Sequence, residues 1–253
     1  ILLTGPETNM RIRTLDVKRT LRGGTVTQFL GWQYDFSGRC SRLFLGASLL
    51  SWMCLGCASP SKRLLAAVDS GQTNEVVAIL DKGGDPDVRN KNGATSLMFA
   101  ARLKNPELSA LLIKRGAKVN ARDGRGFTPL HYSVDRGGHG GIARMLLDSG
   151  AEVNDRNSTG VSVLITAVNS SADLSIVKEL IERGADVKLK GDDGATALFH
   201  ASANGLGEVC KLLLEKGADP NAARGDGMTV LMGAVGGTGN VDVIELLIAR
   251  GAK

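Results

Sequence analysis

A short sequence pattern, an aliphatic pair followed after a brief spacer by glycine and usually alanine, recurs six times in this chain. The glycines of the six copies are spaced by 33 or 34 residues: Gly83, Gly116, Gly150, Gly184, Gly217 and Gly251. A fixed period of this size is typical of a solenoid, in which short units stack in a line, and not of a single closed core. Such an array offers an extended surface and usually no reaction centre.

The positive net charge belongs mainly to the first part of the chain. Residues 1–57 hold seven Lys/Arg against three Asp/Glu, whereas residues 58–253 hold 24 against 23. Aromatic residues make up only 4% of the sequence, so platforms for base stacking are scarce. The repeats are therefore not predicted to bind nucleic acid.

Residues 43–57 form an uncharged, mostly apolar run that follows Arg39 and Arg42. A membrane-spanning helix needs roughly 20 apolar residues, whereas a shorter run behind positive charges is typical of a signal peptide. The ending Leu55-Gly56-Cys57 resembles a bacterial lipobox, which implies lipid attachment at Cys57, although Cys54 and Leu55 depart from that pattern. Cleavage after Ala58 and an uncleaved leader remain the alternatives.

Residues 1–42 show no periodicity and are assigned no fold. Because the chain begins with Ile1, we expect the recorded start to lie upstream of the true one, or the chain to be a fragment.

Each unit contains two short helical patterns, which residues 127–160 illustrate. Thr128 is a favourable N-cap, and Pro129 is tolerated at the first helical position. Two glycines at 137–138 separate the two helices, and Gly150 ends the second one. Helices of about ten residues do not persist alone, so stacking of neighbouring units must stabilise them.

The tetrapeptide Thr128-Pro129-Leu130-His131 and its partial copies at 95–98, 196–199 and 229–232 resemble the ankyrin repeat. The resemblance covers about residues 62–253 and implies an all-α solenoid of about six helix–turn–helix units joined by β-hairpin-like fingers. We predict a repeat region at 58–253 with units at about 62–93, 94–126, 127–160, 161–194, 195–227 and 228–253.

The last unit stops at Lys253, directly after its Gly-Ala pair. Because terminal repeats normally need a polar cap, we expect its outward face to show Val243, Ile244 and Leu247. We also expect another repeat or a whole domain to follow.

The sequence predicts no catalytic site, no metal site and no cofactor. His131, His139 and His200 lie in different units, without carboxylates or thiols at ligand spacing. The ankyrin resemblance implies that His131 binds backbone between units. The glycine-rich stretches 137–141 and 236–239 lack the Gly-Lys-Ser/Thr ending of a phosphate loop and are interpreted as turns. Cys210 occupies a position that is aliphatic in other units and is assigned to the core.

Basic residues recur at one place in successive fingers: Arg89, Arg122, Arg156, Lys190 and Arg224. They form either a strip that faces an acidic protein surface or the solvated arginines common in this family. The resemblance implies a protein partner on the concave face made by the fingers and the first helices. The predicted partner-binding residues are Arg89, Lys91, Arg122, Arg125, Phe127, Arg156, Lys190, Arg224 and Met228. Phe127 and Met228 are either binding hot spots or packing residues.

Taken together, these features predict a monomeric, non-enzymatic scaffold for protein–protein interaction. Export to the periplasm or outer membrane of a bacterium is expected, with membrane contact only through a lipid at Cys57. Two alternatives remain: a targeting or regulatory arm of an enzyme that continues beyond Lys253, and a cytoplasmic regulator.

Overall fold

Six successive helix pairs make up the part of the chain that the computed structural model describes, residues 60–170 and 173–253. The unassigned residues 1–42, the predicted signal-peptide region at 43–57 and the lipidation site Cys57 lie outside these residues. The helices are α1 (Pro60–Asp69), α2 (Thr73–Asp81), α3 (Ser96–Arg102), α4 (Pro106–Lys114), α5 (Pro129–Val134), α6 (Gly140–Asp148), α7 (Val163–Asn169), α8 (Leu174–Glu182), α9 (Ala197–Ala203), α10 (Gly207–Glu215), α11 (Val230–Gly236) and α12 (Val241–Ala249). A 3₁₀ turn at Asp135–Gly137 follows α5.

Hydroxyl side chains begin the first helix of each later pair. The hydroxyls of Ser162, Thr196 and Thr229 each accept a hydrogen bond from the backbone N–H three residues on, at 3.2 Å. This satisfies a donor that the first helical turn leaves without an intrahelical partner. The second helices end at glycines with φ between 83° and 90°, a backbone conformation that residues with a Cβ rarely adopt. The Thr and Gly positions of the period therefore mark helix starts and helix ends.

Among the described residues, the main contacts between helices join neighbours in the array. The first helices α3, α5, α7, α9 and α11 each pack on the preceding first helix, and the second helices α6, α8, α10 and α12 do the same in their own row. Within a unit, each first helix also packs on its second helix. This arrangement confirms the predicted all-α solenoid of helix–turn–helix units. The fingers between units contain isolated antiparallel bridges such as Arg89 with Thr95 and Arg156 with Ser162.

Leucines at one repeating position of the first helices form the centre of the core. They are at most 1% exposed: Leu64, Leu97, Leu130, Leu164 and Leu198. Truncating a leucine in such a position to alanine typically costs about 2–5 kcal/mol of stability.

The last unit exposes a different set of apolar side chains from the one predicted. Val243 and Leu247 are fully buried and Ile244 is partly buried, because α12 packs on α10 and α11. The exposed apolar side chains of this unit are instead Met232, Val235, Val241 and Ile248, at 57–63% exposure.

Asparagine side chains link the fingers of the second, third and fifth units to the unit that follows, and in the first unit Asp87 accepts from the Lys118 N–H instead. The Asn120 Nδ2 donates to the Gly150 carbonyl at 2.9 Å, and its Oδ1 accepts from the Glu152 N–H at 3.0 Å. Asn154 and Asn221 repeat this pair of bonds with the units that follow them. The equivalent residue of the fourth unit is Lys188, whose side chain has no acceptor atom. The amide bridge is therefore missing between the fourth and fifth units.

Replacing Lys188 with asparagine should stabilise the protein by about 1 kcal/mol, since a typical net hydrogen bond contributes roughly 0.5–1.5 kcal/mol. The new amide would meet the Gly217 carbonyl and the Asp219 N–H, which occupy the positions of the partners of Asn120. Urea denaturation measures the gain. Lys188→Ala is the control, because it removes the lysine without adding an amide. An equal gain in both variants would show that removing the lysine, and not the amide bridge, is responsible.

Candidate functional site

The fingers are held rigid at their tips by side chains that accept backbone hydrogen bonds. The Asn90 Oδ1 accepts from the Asn92 and Ala94 N–H groups, and the Asp123 Oδ1 accepts from those of Arg125 and Phe127. Gly126 turns the second of these fingers at φ 78°, where a Cβ would lie 2.7 Å from the backbone nitrogen of Ser158 in the next finger. Adjacent fingers thus approach closely and present fixed side chains.

The predicted basic column is a ladder of bonds between fingers. The Arg89 guanidinium donates to the Arg122 carbonyl at 2.6 Å, and that of Arg122 donates to the Arg156 carbonyl at 2.7 Å. The Arg156 guanidinium continues the series to the Lys190 carbonyl at 2.8 Å. Arg122 also forms an ion pair with the buried carboxylate of Asp155. These three arginines therefore contribute to stacking of the fingers, a role that the spacing alone did not reveal.

Arg224 does not belong to this column. The bridges at Arg89, Arg156 and Lys190 are continued in the fifth finger by Ala223, which pairs with Thr229. Arg224 lies one residue further on, between Asp193 and Asp226 and over the ring of Phe199 at 5.4 Å from its centroid. Including Arg224 in the column was wrong, because the equivalent position of the last finger lies 33 residues after Lys190 and not 34.

A groove of about 670 Å³ lies between fingers and first helices of the second and third units. Its lining includes Phe99 and Arg102 of α3, Arg125 of the finger, and Tyr132 of α5. A neighbouring groove of about 400 Å³ reaches Phe127, Asn157 and Asn169. Arg125, Tyr132, Asp135 and Arg136 line both, so we treat the two as one site and call it the finger groove.

Aromatic rings in the finger groove lie against charged groups. The Arg125 guanidinium lies 5.0 Å from the ring centroid of Phe127, which is 6.1 Å from that of Tyr132. The Tyr132 hydroxyl donates to the Asp123 Oδ2 at 2.8 Å. Burial, together with this carboxylate, raises the pKa of Tyr132. The phenol therefore stays protonated and fixed, and its partner Asp123 is 9% exposed.

The structure brings only part of the predicted set together. Arg125 and Phe127 lie in the finger groove, Lys91 and Lys190 are exposed on fingers, and Met228 is partly buried against the core. Arg102, Tyr132, Arg136 and Asn169 were missed. Tyr132 occupies the same repeating position as Phe99, one residue after the tetrapeptide, so the comparison of units carried a signal for it.

The three histidines serve the fold. His131 is fully buried, and burial lowers its pKa to about 4. Its Nδ1 lies 3.2 Å from the Thr128 N and its Nε2 lies 3.3 Å from the Val161 carbonyl oxygen in the next finger. His139 caps α6 through the Ile142 N–H, and the ring of His200 meets Phe199 edge to face. Cys210 lies in the core, where burial raises the pKa of its thiol.

Among the described residues, no three His, Cys, Asp or Glu side chains are placed to share a metal ion. Within the same residues, none of the helices combines the length and the apolar character that crossing a membrane requires.

Comparison with known proteins gives one family. Residues 64–157 and 164–253 match the family described as ankyrin repeats in three copies. Ankyrin repeat domain-containing protein 9 from Mus musculus is 42% identical over 69 residues, which are 27% of this chain and 21% of the relative. Ankyrin repeat-containing protein P1E11.10 from Schizosaccharomyces pombe is 36% identical over 64 residues, 25% of this chain and 31% of the relative. Protein PhlB from Serratia liquefaciens is 39% identical over 69 residues, 27% and 30% of the two chains. The matches thus cover between about a fifth and a third of these relatives.

Proposed function

Because this chain belongs to the ankyrin repeat family, we propose that it is a non-enzymatic scaffold that binds a protein partner in the finger groove. Ankyrin repeats imply a protein partner, and the position of the contact is the new element of the proposal. The observation that supports it is the groove itself, in which the exposed arginines Arg102 and Arg125 lie over the rings of Phe99 and Phe127.

The arginines of the ladder are excluded from the proposed contact surface. Arg89, Arg122 and Arg156 donate to carbonyls of the following fingers, so a partner would have to break those bonds to use them. The proposed contact residues are therefore Arg102, Arg125, Phe127, Tyr132 and Arg136, and the protein is proposed to act as a monomer.

Site-specific photocrosslinking tests the proposal. A benzophenone amino acid replaces Arg136 in the groove or, as a control, Lys211, which is exposed on the second-helix row. We expect ultraviolet light to give one discrete adduct with another protein in cells that carry the groove probe and none with the Lys211 probe. Equal labelling at both positions, or no adduct at Arg136, would contradict the proposed contact surface.

Export and lipid attachment at Cys57 stay part of the proposal, supported by the charged flank and the apolar run of the leader. Mass spectrometry of the mature N-terminus after cell fractionation tests them. A lipid-bearing Cys57 supports the envelope location, and an unprocessed N-terminus in the cytoplasmic fraction contradicts it.

A further inference from the structure

The finger groove contains two arginines whose side chains are open to a ligand. Arg125 is exposed, its guanidinium lies 5.0 Å from the Phe127 ring centroid, and it also interacts with the side chain of Tyr132. The side chain of Arg136 is 92% exposed, and its Nε lies 3.7 Å from the Asp135 Oδ2. Both line the two halves of the groove, so their charges face the same space.

The carboxylates of the groove are already used by the fold. Asp123 accepts from two backbone N–H groups through Oδ1 and from the Tyr132 hydroxyl through Oδ2. Asp135 accepts from the Ser170 hydroxyl at 2.7 Å. The side chains of Asn92 and Asn169 add exposed amide groups at the two ends. The groove therefore offers hydrogen-bond donors and positive charge, and both of its carboxylates already accept hydrogen bonds from the protein.

Stacking on an aromatic ring makes Arg125 a prepared anion site. A guanidinium stacked on a ring keeps its N–H edge available for a carboxylate. Because the ring already holds the side chain, binding costs less rotamer entropy than it would for a free arginine. The rings of Phe127, Tyr132 and Phe99 supply apolar surface between the charged groups. This combination fits carboxylates on either side of an apolar residue.

We infer that the finger groove binds an acidic segment of a partner protein, with carboxylates on Arg125 and Arg136 and an apolar side chain against the rings between them. The inference rests on the proposed function and specifies the chemistry of the partner. A nucleic acid is disfavoured because residues 58–253 hold nearly equal numbers of acidic and basic residues, so the array lacks the excess of positive charge that binds a phosphate backbone.

Titration of the purified protein with three fluorescent peptides, Ac-GEEFEEG-NH₂, Ac-GQQFQQG-NH₂ and Ac-GKKFKKG-NH₂, tests the inference by fluorescence anisotropy. We expect saturable binding of the acidic peptide alone, with an affinity that falls as salt rises. Arg125→Gln and Arg136→Gln should each weaken it by about fivefold, because each removes one charge-assisted contact. Lys211→Gln removes the same charge from the second-helix row and should leave the affinity unchanged.

Equal affinity for the neutral peptide, an equal loss in Lys211→Gln, or no binding of the acidic peptide would each overturn the inference. So would tighter binding of the oligonucleotide dT₁₂, which is the nucleic-acid arm of the experiment. Photocrosslinking from Arg136 to a partner without an acidic segment would overturn the inference and leave the proposed scaffold function intact.

Discussion

Arg122→Ala is expected to lower the free energy of unfolding by about 2–3 kcal/mol. The side chain of Asp155 is 4% exposed, and its carboxylate forms an ion pair with Arg122. Removing the arginine leaves the carboxylate with the backbone N–H of Arg156 as its remaining polar contact among the described residues. Breaking a fully buried pair costs about 3–5 kcal/mol, and half-exposure of Arg122 allows water to compensate in part. Urea denaturation at neutral pH measures the loss.

Arg89→Ala is the matched control. Arg89 is the preceding member of the same ladder, but the hydrogen bonds of its guanidinium within the described part of the chain go to the carbonyls of Gly93 and Arg122. Its removal should cost about 1 kcal/mol or less, since both bonds are exposed and water replaces them. Similar losses in the two variants would show that the Asp155 carboxylate does not depend on Arg122.

A double-mutant cycle isolates the loss of stability that comes from leaving the Asp155 carboxylate unpaired. Adding Asp155→Asn to Arg122→Ala removes the carboxylate that the single variant leaves unpaired. The double variant should therefore be more stable than Arg122→Ala alone, which is the non-additivity expected of residues in direct contact. Additive losses would mean that the two side chains act independently.

The fold class followed from the period, because a pattern of aliphatic pairs and glycines fixes where helices end and which faces need a neighbour. The role of the basic column did not follow from it. Spacing shows that Arg89, Arg122 and Arg156 stack, but not that each guanidinium reaches the carbonyl of the next finger. That outcome depends on the close approach of the fingers, which Gly126 permits.

Register errors had a specific cause. The units are 33 or 34 residues long, and a final step of 34 residues assigned Arg224 to the place of Ala223, which lies 33 residues after Lys190. Counting back from the turn glycine Gly227 gives the correct residue. The exposed face of the last unit was misassigned because an apolar residue in a short helix can face its own unit or the next. Val243 and Leu247 face inward, and Val243 lies next to Gly207 of the preceding unit.

Acidification is expected to destabilise the protein through His131. Its Nε2–H donates to the Val161 carbonyl, so Nδ1 is the unprotonated nitrogen that accepts from the Thr128 N–H. Burial disfavours the charged imidazolium and lowers the pKa of His131 from its ordinary value of 6.5 to about 4. Protonation of Nδ1 would also point its new N–H at the Thr128 N–H donor. Between these two pH values the unfolded chain binds the proton and the folded protein does not.

The sign of the effect follows from this difference in proton binding. The free energy of unfolding falls as the pH falls from 6.5 towards 4, by about 3 kcal/mol in total for this one group. Above pH 6.5 the histidine is neutral in both states and contributes no pH dependence. Urea denaturation at several pH values measures the slope.

His131→Met is the variant that isolates this contribution, because the chain already uses methionine at the same position of the second unit. There the Met98 sulfur accepts from the Thr95 N–H at 3.3 Å, so the cap survives without a titratable group. The variant should lose the hydrogen bond to the Val161 carbonyl at every pH. Its free energy of unfolding should not show the additional fall of about 3 kcal/mol between pH 6.5 and 4. His200→Gln is the comparison variant: burial lowers the pKa of His200 as well, so this variant should also lose part of the acid sensitivity, but a smaller part than His131→Met. If His131→Met loses stability with acid as steeply as the unaltered protein, carboxylates and not the histidine between units three and four govern its acid sensitivity.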